Sequence, residues 1–179
     1  MTLRRSGILV LVLAAVLSAG DWSAPVDVRH DEEVAISYRA RLDGPWLVVR
    51  ATLAAGWHTF AMDNKRRADE KLAGKKALSN DRPTEIAAVA GLELSGPWYQ
   101  SPPKDFSHPE LRWFSWGFER EAVFAVKVRN AGSAMGRLTV RGQACTDTVC
   151  KNIDVALAVP PGGGGGAGEI NVKDLERVR

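Results

Sequence analysis

The sequence is poor in residues that bind metals, with two cysteines and three histidines among 179 residues. His30, His58 and His108 are scattered along the chain, and none stands at the spacing of paired zinc ligands. We therefore expect surface or partly buried structural histidines and no metal site. The sequence also lacks a Gly-x-Ser-x-Gly motif and a glycine-rich loop that opens a helix, so neither of these catalytic signatures is present.

Long hydrophobic runs are absent after the first twenty residues. Arg4 and Arg5 precede an apolar run over 8–17, which is followed by small residues up to Gly20. This run is too short to span a bilayer and is typical of a secretory signal peptide, with cleavage expected after Gly20. The sequence therefore predicts an exported, soluble mature chain with no cysteine near its start to carry a lipid.

An excess of charge of one sign is also missing. The chain has 24 basic and 21 acidic residues, for a net charge of +3, and loss of Arg4 and Arg5 with the leader leaves a value near +1. The basic cluster over 65–76 is interleaved with Asp69 and Glu70. Nucleic acids are bound by basic residues gathered on one face, so we expect no nucleic-acid partner.

Apolar and polar residues alternate with period two in several short segments, a pattern typical of half-buried strands. Residues 34–42 and 47–53, separated by Asp43, Gly44 and Pro45, predict a hairpin. Further strands are predicted over 123–129, 137–143 and 153–159, with weaker candidates over 84–89 and 92–94. About seven or more strands separated by turn signals favour an all-β sandwich.

Two segments depart from this pattern. Residues 63–83 are charged, and their helix-forming stretch over 65–78 predicts a surface insertion with one or two helical turns or a solvated loop without a role. Pro160, Pro161 and five consecutive glycines then predict the end of the fold. We expect a signal peptide over 1–20, one domain over 21–160 and a flexible tail over 161–179, with a short docking peptide as the alternative for the tail.

Cys145 and Cys150 stand between two predicted strands and would lie at a hairpin tip. A disulfide that closes so short a loop stabilises a fold by only about 2 kcal/mol, near the low end of the usual range. Its accessible position favours thiol exchange. A passive staple and a metal site remain open alternatives, and the spacing is not the Cys-x-x-Cys of thioredoxin. Lys151 would stabilise a thiolate and Asp147 would oppose one.

Aromatic residues are concentrated in one stretch, 98–118, which is interrupted by prolines. Such prolines exclude a regular central strand. The aromatic side chains either fill one end of the sandwich, or they belong to a loop that covers the cysteines until a partner displaces it.

Four motifs, taken in order, resemble the periplasmic N-terminal domain of the DsbD thiol:disulfide interchange proteins. The resemblance runs from about Val34 to Val159, and the cysteine motif is its most specific part. The motifs are Gly56-Trp-His-Thr-Phe60, Pro83-Thr-Glu-Ile86, Gly96-Pro-Trp-Tyr-Gln100 and Cys145-Thr-Asp-Thr-Val-Cys150.

The resemblance implies an immunoglobulin-like sandwich in the periplasm that uses no cofactor. It implies electron transfer from a DsbD-like membrane donor to thioredoxin-fold proteins through one dithiol. By motif position, Cys150 would form the mixed disulfide with a partner and Cys145 would resolve it. Aromatic residues expected to cap the disulfide or contact the partner are Trp113, Phe114, Trp116, Trp57 and Phe60. The alternative is an exported immunoglobulin-like binding module with a purely structural disulfide.

The sequence departs from the family pattern at three points. Lys151 and Asn152 follow the second cysteine, where family members often have prolines. The insertion over 63–82 is longer and more basic than expected. The family's membrane-spanning and thioredoxin-like domains are not in this sequence, so the resemblance implies a separate electron donor or a different use of the domain.

Overall fold

Two antiparallel sheets account for most of the architecture in a computed structural model of the chain, which describes residues 22–76, 81–129, 135–162 and 170–179. The described residues form twelve strands, one α-helix and two short 3₁₀ turns. The predicted signal peptide over 1–20 and the glycine run after Gly162 lie outside the described residues. The chain is an immunoglobulin-like β-sandwich, which confirms the predicted fold class.

The first sheet has the strand order β1, β2, β3, β9, β6, β12. Its centre is the predicted hairpin of β2 and β3, whose register pairs Ile36 with Leu53 and Asp43 with Trp46. The strands are β1 Val26–His30, β2 Glu33–Asp43, β3 Trp46–Leu53, β6 Leu94–Gln100, β9 Glu121–Val128 and β12 Glu176–Arg177.

The second sheet has the order β11, β10, β4, β8, β7, and β5 pairs with β10 beside β4. β11 is therefore an edge strand, whereas β10 has neighbours on both sides. The strands are β4 His58–Phe60, β5 Glu85–Ala90, β7 Lys104–Asp105, β8 Trp116–Glu119, β10 Gly136–Cys145 and β11 Cys150–Val159.

The core lies between the sheets and is built from the apolar residues of the alternating segments. Tyr38 and Phe124 of the first sheet and Leu138 and Leu157 of the second are fully buried. The ring of Phe118 in β8 meets that of Phe124 edge-on, with 5.6 Å between centroids. Burial of such side chains contributes about 1.5–3 kcal/mol each, which explains why the period-two pattern predicted these strands.

The close approach of β8 to β4 depends on a glycine. A Cβ atom built on Gly117 would lie 2.1 Å from the carbonyl oxygen of Thr59 in β4. Only glycine therefore lets β8 pair with β4 at this position, and β4 carries residues of the site described below.

The aromatic stretch forms strands that its prolines made hard to predict. In place of the candidate over 92–94, β6 spans Leu94–Gln100 and includes Pro97. The strand tolerates this proline because its register against β9 shifts between Ser95 and Tyr99. β8 begins at Trp116, beyond the last proline of the stretch.

The charged insertion is attached to the fold more firmly than a surface loop. Its helix, α1 Asn64–Leu72, is shorter than the predicted helical stretch, and Asn64, Arg67 and Leu72 are buried. The side chain of Asp63 has no exposed surface and accepts hydrogen bonds from Arg67 Nε and Gln100 Nε2, both at 2.8 Å. The start of the insertion is thus part of the core, and residues 77–80 lie outside the described residues.

Residues 170–179 pack on the domain, where we expected a flexible tail over 161–179. β12 pairs with β6 through Glu176 and Arg177. Glu176 accepts a hydrogen bond from Arg67, and the backbone N–H of Arg179 donates to Asp63 Oδ2 at 3.2 Å. We call residues 170–179 the C-terminal segment.

Within the described ranges, no helix has both the length and the apolar character needed to cross a bilayer. The longest helix there is α1, with nine mostly polar residues.

Candidate functional site

The two cysteines face each other at the end of the β10–β11 hairpin. Cys145 is the last residue of β10 and Cys150 the first of β11, and the register pairs them directly. They form a disulfide with 4.0 Å between their Cα atoms. The predicted position at a hairpin tip is therefore confirmed.

Hydrogen bonds hold the four residues between the cysteines in a defined turn. The backbone N–H of Thr146 donates to the carbonyl of Val149 at 2.8 Å. The hydroxyl of Thr146 accepts from the backbone N–H groups of Thr148 and Val149, at 3.3 and 3.1 Å. A threonine hydroxyl that accepts hydrogen bonds from backbone N–H groups two or three residues later commonly stabilises a tight turn.

The two cysteines differ sharply in exposure. Cys145 is 3% exposed, whereas Cys150 is an exposed residue. The sheet order explains the difference, because β4 pairs with β10 at Cys145, while among the described strands β11 is an edge strand with no neighbour beyond Cys150. A protein that approaches this hairpin can therefore reach Cys150 first.

The disulfide lies in a groove of about 520 Å³, which we call the disulfide groove. Strand β4, the loop before β5, the turn after β7 and the β10–β11 hairpin all contribute to it. Its lining residues are His58, Phe60, Asp81, His108, Trp113 and the six residues 145–150.

Trp113 is fixed on one wall of the groove by two neighbours. Its indole N–H donates to Asp81 Oδ2 at 2.7 Å. The imidazole of His108 stacks on its ring with 5.1 Å between centroids. Backbone hydrogen bonds between the two residues, 2.7 and 3.1 Å long, close the loop that contains them. The indole is thus held at the disulfide by contacts from both sides.

His58 and Phe60 of β4 also line the groove. Phe60 is buried, and its ring meets that of His58 edge-on at 5.4 Å. The ring of Phe106 lies 5.3 Å from His58 on another side. Partial burial lowers the pKa of His58, although the negative charges of Asp81, Asp147 and Glu119 act in the opposite direction. The imidazole is therefore mainly neutral at pH 7.

Only part of the predicted aromatic set lies at the disulfide. Phe60 and Trp113 line the groove. Trp57 and Trp116 are buried in the core cluster, and Phe114 lines a separate pocket beside α1. Trp113 also borders the pocket that Phe114 lines, whereas Phe114 does not line the disulfide groove.

Four further residues near the cysteines were not among the predicted site residues. His58, Asp81 and His108 line the groove, and Phe106 packs against His58. His58 is part of the motif Gly56-Trp-His-Thr-Phe60. The position of this motif in the sequence did not indicate that His58 lies near the disulfide. The residues come from segments far apart in the chain, so only the strand pairing brings them together.

The described part of the chain has no group of three or more histidine, cysteine, aspartate or glutamate side chains arranged to hold a metal ion. The chemistry available in the groove is that of the disulfide, two imidazoles and two carboxylates, those of Asp81 and Asp147.

The chain is similar to the N-terminal domain of DsbD. The reduced form of that domain from Neisseria meningitidis shares 12% identity at a TM-score of 0.41, over 81% of this chain and 91% of the other. The same domain in complex with the PilB N-terminal domain, also from Neisseria meningitidis, shares 15% identity at a TM-score of 0.46, over 74% and 88%. No family model and no curated protein matches the chain.

Both solved structures come from the family that the order of the sequence motifs resembles. At these identities and TM-scores, the similarity assigns no role to any residue of this chain.

Proposed function

We propose that the protein exchanges thiols and disulfides with partner proteins through Cys145 and Cys150. The observation that carries this proposal is the asymmetry of the pair, an exposed Cys150 bonded to a Cys145 that is 3% exposed. Thiol exchange proceeds by attack of a thiolate on one sulfur and departure of the other. A pair with one reachable sulfur directs every attack to the same atom.

In the reductive direction, a partner's thiolate attacks Sγ of Cys150. The Cys145–Cys150 bond breaks, and its electron pair leaves with Cys145 as a thiolate, while a mixed disulfide forms on Cys150. The partner's second thiolate then attacks the partner's sulfur in the mixed disulfide. This step releases Cys150 as a thiolate. The partner leaves oxidised and this chain holds two thiols, which pass the two electrons to an acceptor disulfide by the reverse steps.

The partners proposed are thioredoxin-fold proteins, with a DsbD-like membrane protein as electron donor. The sequence resemblance supports this choice, and the groove beside Cys150 offers room for a polypeptide segment to approach the disulfide. The predicted signal peptide supports export to the periplasm, a compartment in which disulfides form. The proposed domain spans 21–160, to which the C-terminal segment is docked.

Trp113 is proposed to shield the disulfide between encounters with partners. Its substitution in Trp113→Ala should speed reduction of the disulfide by dithiothreitol several-fold, because one wall of the groove is removed. The rate is measured by thiol trapping under pseudo-first-order conditions. Phe114→Ala is the matched control, since Phe114 is adjacent in sequence but lines another pocket. Equal rates in the two variants would show that Trp113 does not shield the pair.

The function is tested by the reduction potential of the pair in the mature protein, obtained by equilibration with glutathione or dithiothreitol. Exchange catalysts have potentials of about −120 to −270 mV, whereas structural disulfides lie below about −300 mV. We expect a value in the first range. A value in the second would mean an inert staple and would favour the binding-module alternative.

A further inference from the structure

The residue directly opposite Cys145 on the neighbouring strand is His58. The register of β10 and β4 pairs the two residues, and both line the disulfide groove. Cβ atoms of directly opposite residues in an antiparallel pair are about 4.5–5.5 Å apart. An imidazole at this position is within reach of the sulfur of Cys145.

The ring of His58 is placed by packing and has no hydrogen-bond partner among the residues that the structure describes. Phe60 and Phe106 contact it from two sides, with centroid distances of 5.4 and 5.3 Å. On the third side, β8 places Glu119 opposite His58 in register. The ring nitrogens are therefore available to exchange a proton, and the imidazole enters the reaction mainly neutral because burial lowers its pKa.

Cys145 needs a nearby proton acceptor more than Cys150 does. To resolve a mixed disulfide on Cys150, Cys145 must act as a thiolate. An ordinary thiol has a pKa of about 8.5, and burial in apolar surroundings raises it. Cys145 is 3% exposed, so a neighbouring side chain is better placed than bulk water to take its proton.

We propose, on the basis of the exchange function above, that His58 is the proton acceptor for Cys145. The neutral imidazole takes the proton from Sγ of Cys145, and the thiolate attacks Sγ of Cys150. The Cys145–Cys150 bond forms, and the partner's sulfur leaves with the electron pair of the broken mixed disulfide. The imidazolium passes its proton to water or to the departing thiolate, so protons and electrons balance.

Other titratable groups of the groove are less suited to this step. The imidazole of His108 stacks on Trp113, and its Nδ1 lies 3.2 Å from Glu110. The carboxylate of Asp81 accepts the indole N–H of Trp113. Asp147 is exposed in the turn between the cysteines, and a carboxylate has a much lower affinity for a proton than an imidazole.

The test is a stopped-flow reaction of the reduced protein with 5,5′-dithiobis(2-nitrobenzoate). The exposed Cys150 attacks the reagent and releases one thionitrobenzoate, and Cys145 then attacks the resulting mixed disulfide and releases a second. The two phases separate the role of each cysteine, and a Cys145→Ser variant, which shows only the first phase, confirms their order.

In His58→Gln we expect an unchanged first phase and a second phase slowed about a hundredfold at pH 7, the lower end of what general bases contribute. The second phase should be nearly independent of pH between 7 and 8 in the wild type and rise steeply with pH in the variant. Added imidazole should restore the second phase in His58→Ala. His30→Gln, which alters an imidazole outside the disulfide groove, should leave both phases unchanged.

Two outcomes would overturn the inference alone. The second phase could keep its rate in His58→Gln, or it could slow while keeping the pH dependence of the wild type, which would mean that His58 only positions Cys145. If the wild-type protein shows no rapid release of two thionitrobenzoates, the proposed exchange function itself is wrong.

Discussion

Cys150→Ser should lower thiol exchange with thioredoxin-fold proteins to the background rate, whereas Cys145→Ser should stop the reaction at a covalent complex. Cys150 is the exposed cysteine, so its loss leaves only the thiol of a buried residue for a partner to reach. In Cys145→Ser, Cys150 still attacks a partner's disulfide, but no second thiol of this chain releases it. Mass spectrometry of non-reduced mixtures measures both outcomes.

The two single variants serve as controls for each other. Each has one free cysteine and the same serine substitution, so a general effect of removing the disulfide is common to both. Equal yields of mixed disulfide from the two variants would contradict the assignment of Cys150 as the attacked sulfur. Full exchange activity in Cys150→Ser would contradict the proposed function.

Asp63→Ala should lower the free energy of unfolding by about 3–5 kcal/mol, the usual cost of removing one partner from a buried ion pair. Asp63 has no exposed side-chain surface and receives hydrogen bonds from Arg67, Gln100 and the backbone of Arg179. Its loss leaves the guanidinium of Arg67 with Glu176 as its remaining hydrogen-bond partner. Chemical denaturation at pH 7 measures the difference, and loss of less than about 1 kcal/mol would contradict the role given to Asp63.

Asp69→Ala is the matched control for this substitution. Asp69 lies on the same helix and pairs with Lys65 at 2.7 Å, but both side chains are largely exposed. Such surface pairs contribute about 0.3–0.5 kcal/mol. The large difference expected between the two variants arises from burial and not from the loss of a negative charge on α1.

The hydrogen bonds to Asp63 also make the stability of the fold depend on pH in the acidic range. Burial raises the pKa of Asp63, but the hydrogen bonds from Arg67, Gln100 and Arg179 outweigh this effect and lower the pKa below its ordinary value of 3.8. The resulting stabilisation is fully present above that value and is lost as the pH falls through the lower pKa of the folded state. Denaturation curves of Asp63→Asn should therefore show a weaker decline in stability below pH 4 than those of the wild type.

Local patterns in the sequence were sufficient to predict the sandwich and the position of the cysteine pair. Alternation over 34–42 and 47–53 predicted the hairpin of β2 and β3, because each residue's face in a strand follows from its own position. Cys145 and Cys150 are only five residues apart, so two flanking strands were enough to place them at one hairpin tip. Short strands such as β4 and β7, with three and two residues, carry too little periodicity to be predicted this way.

Contacts between distant segments could not be predicted from these patterns. The charged composition of 65–78 indicated a solvated segment, yet Asn64 and Arg67 are buried beside Asp63, which meets Gln100 and the C-terminal segment. The residues 170–179 are polar and follow a glycine run, so their sequence favoured a tail. Their attachment depends on an open edge of β6 and on the partners Asp63 and Arg67.

The sequence by itself thus determined that the chain forms strands and that its two cysteines lie together between β10 and β11. Only the tertiary structure decided which sulfur is accessible and which side chains surround it. Alternation assigns a residue to one face of a sheet but says nothing about which strand lies beside it. The neighbours decide the chemistry here, because β4 both buries Cys145 and places His58 opposite it, while no described strand pairs with β11 on the far side of Cys150.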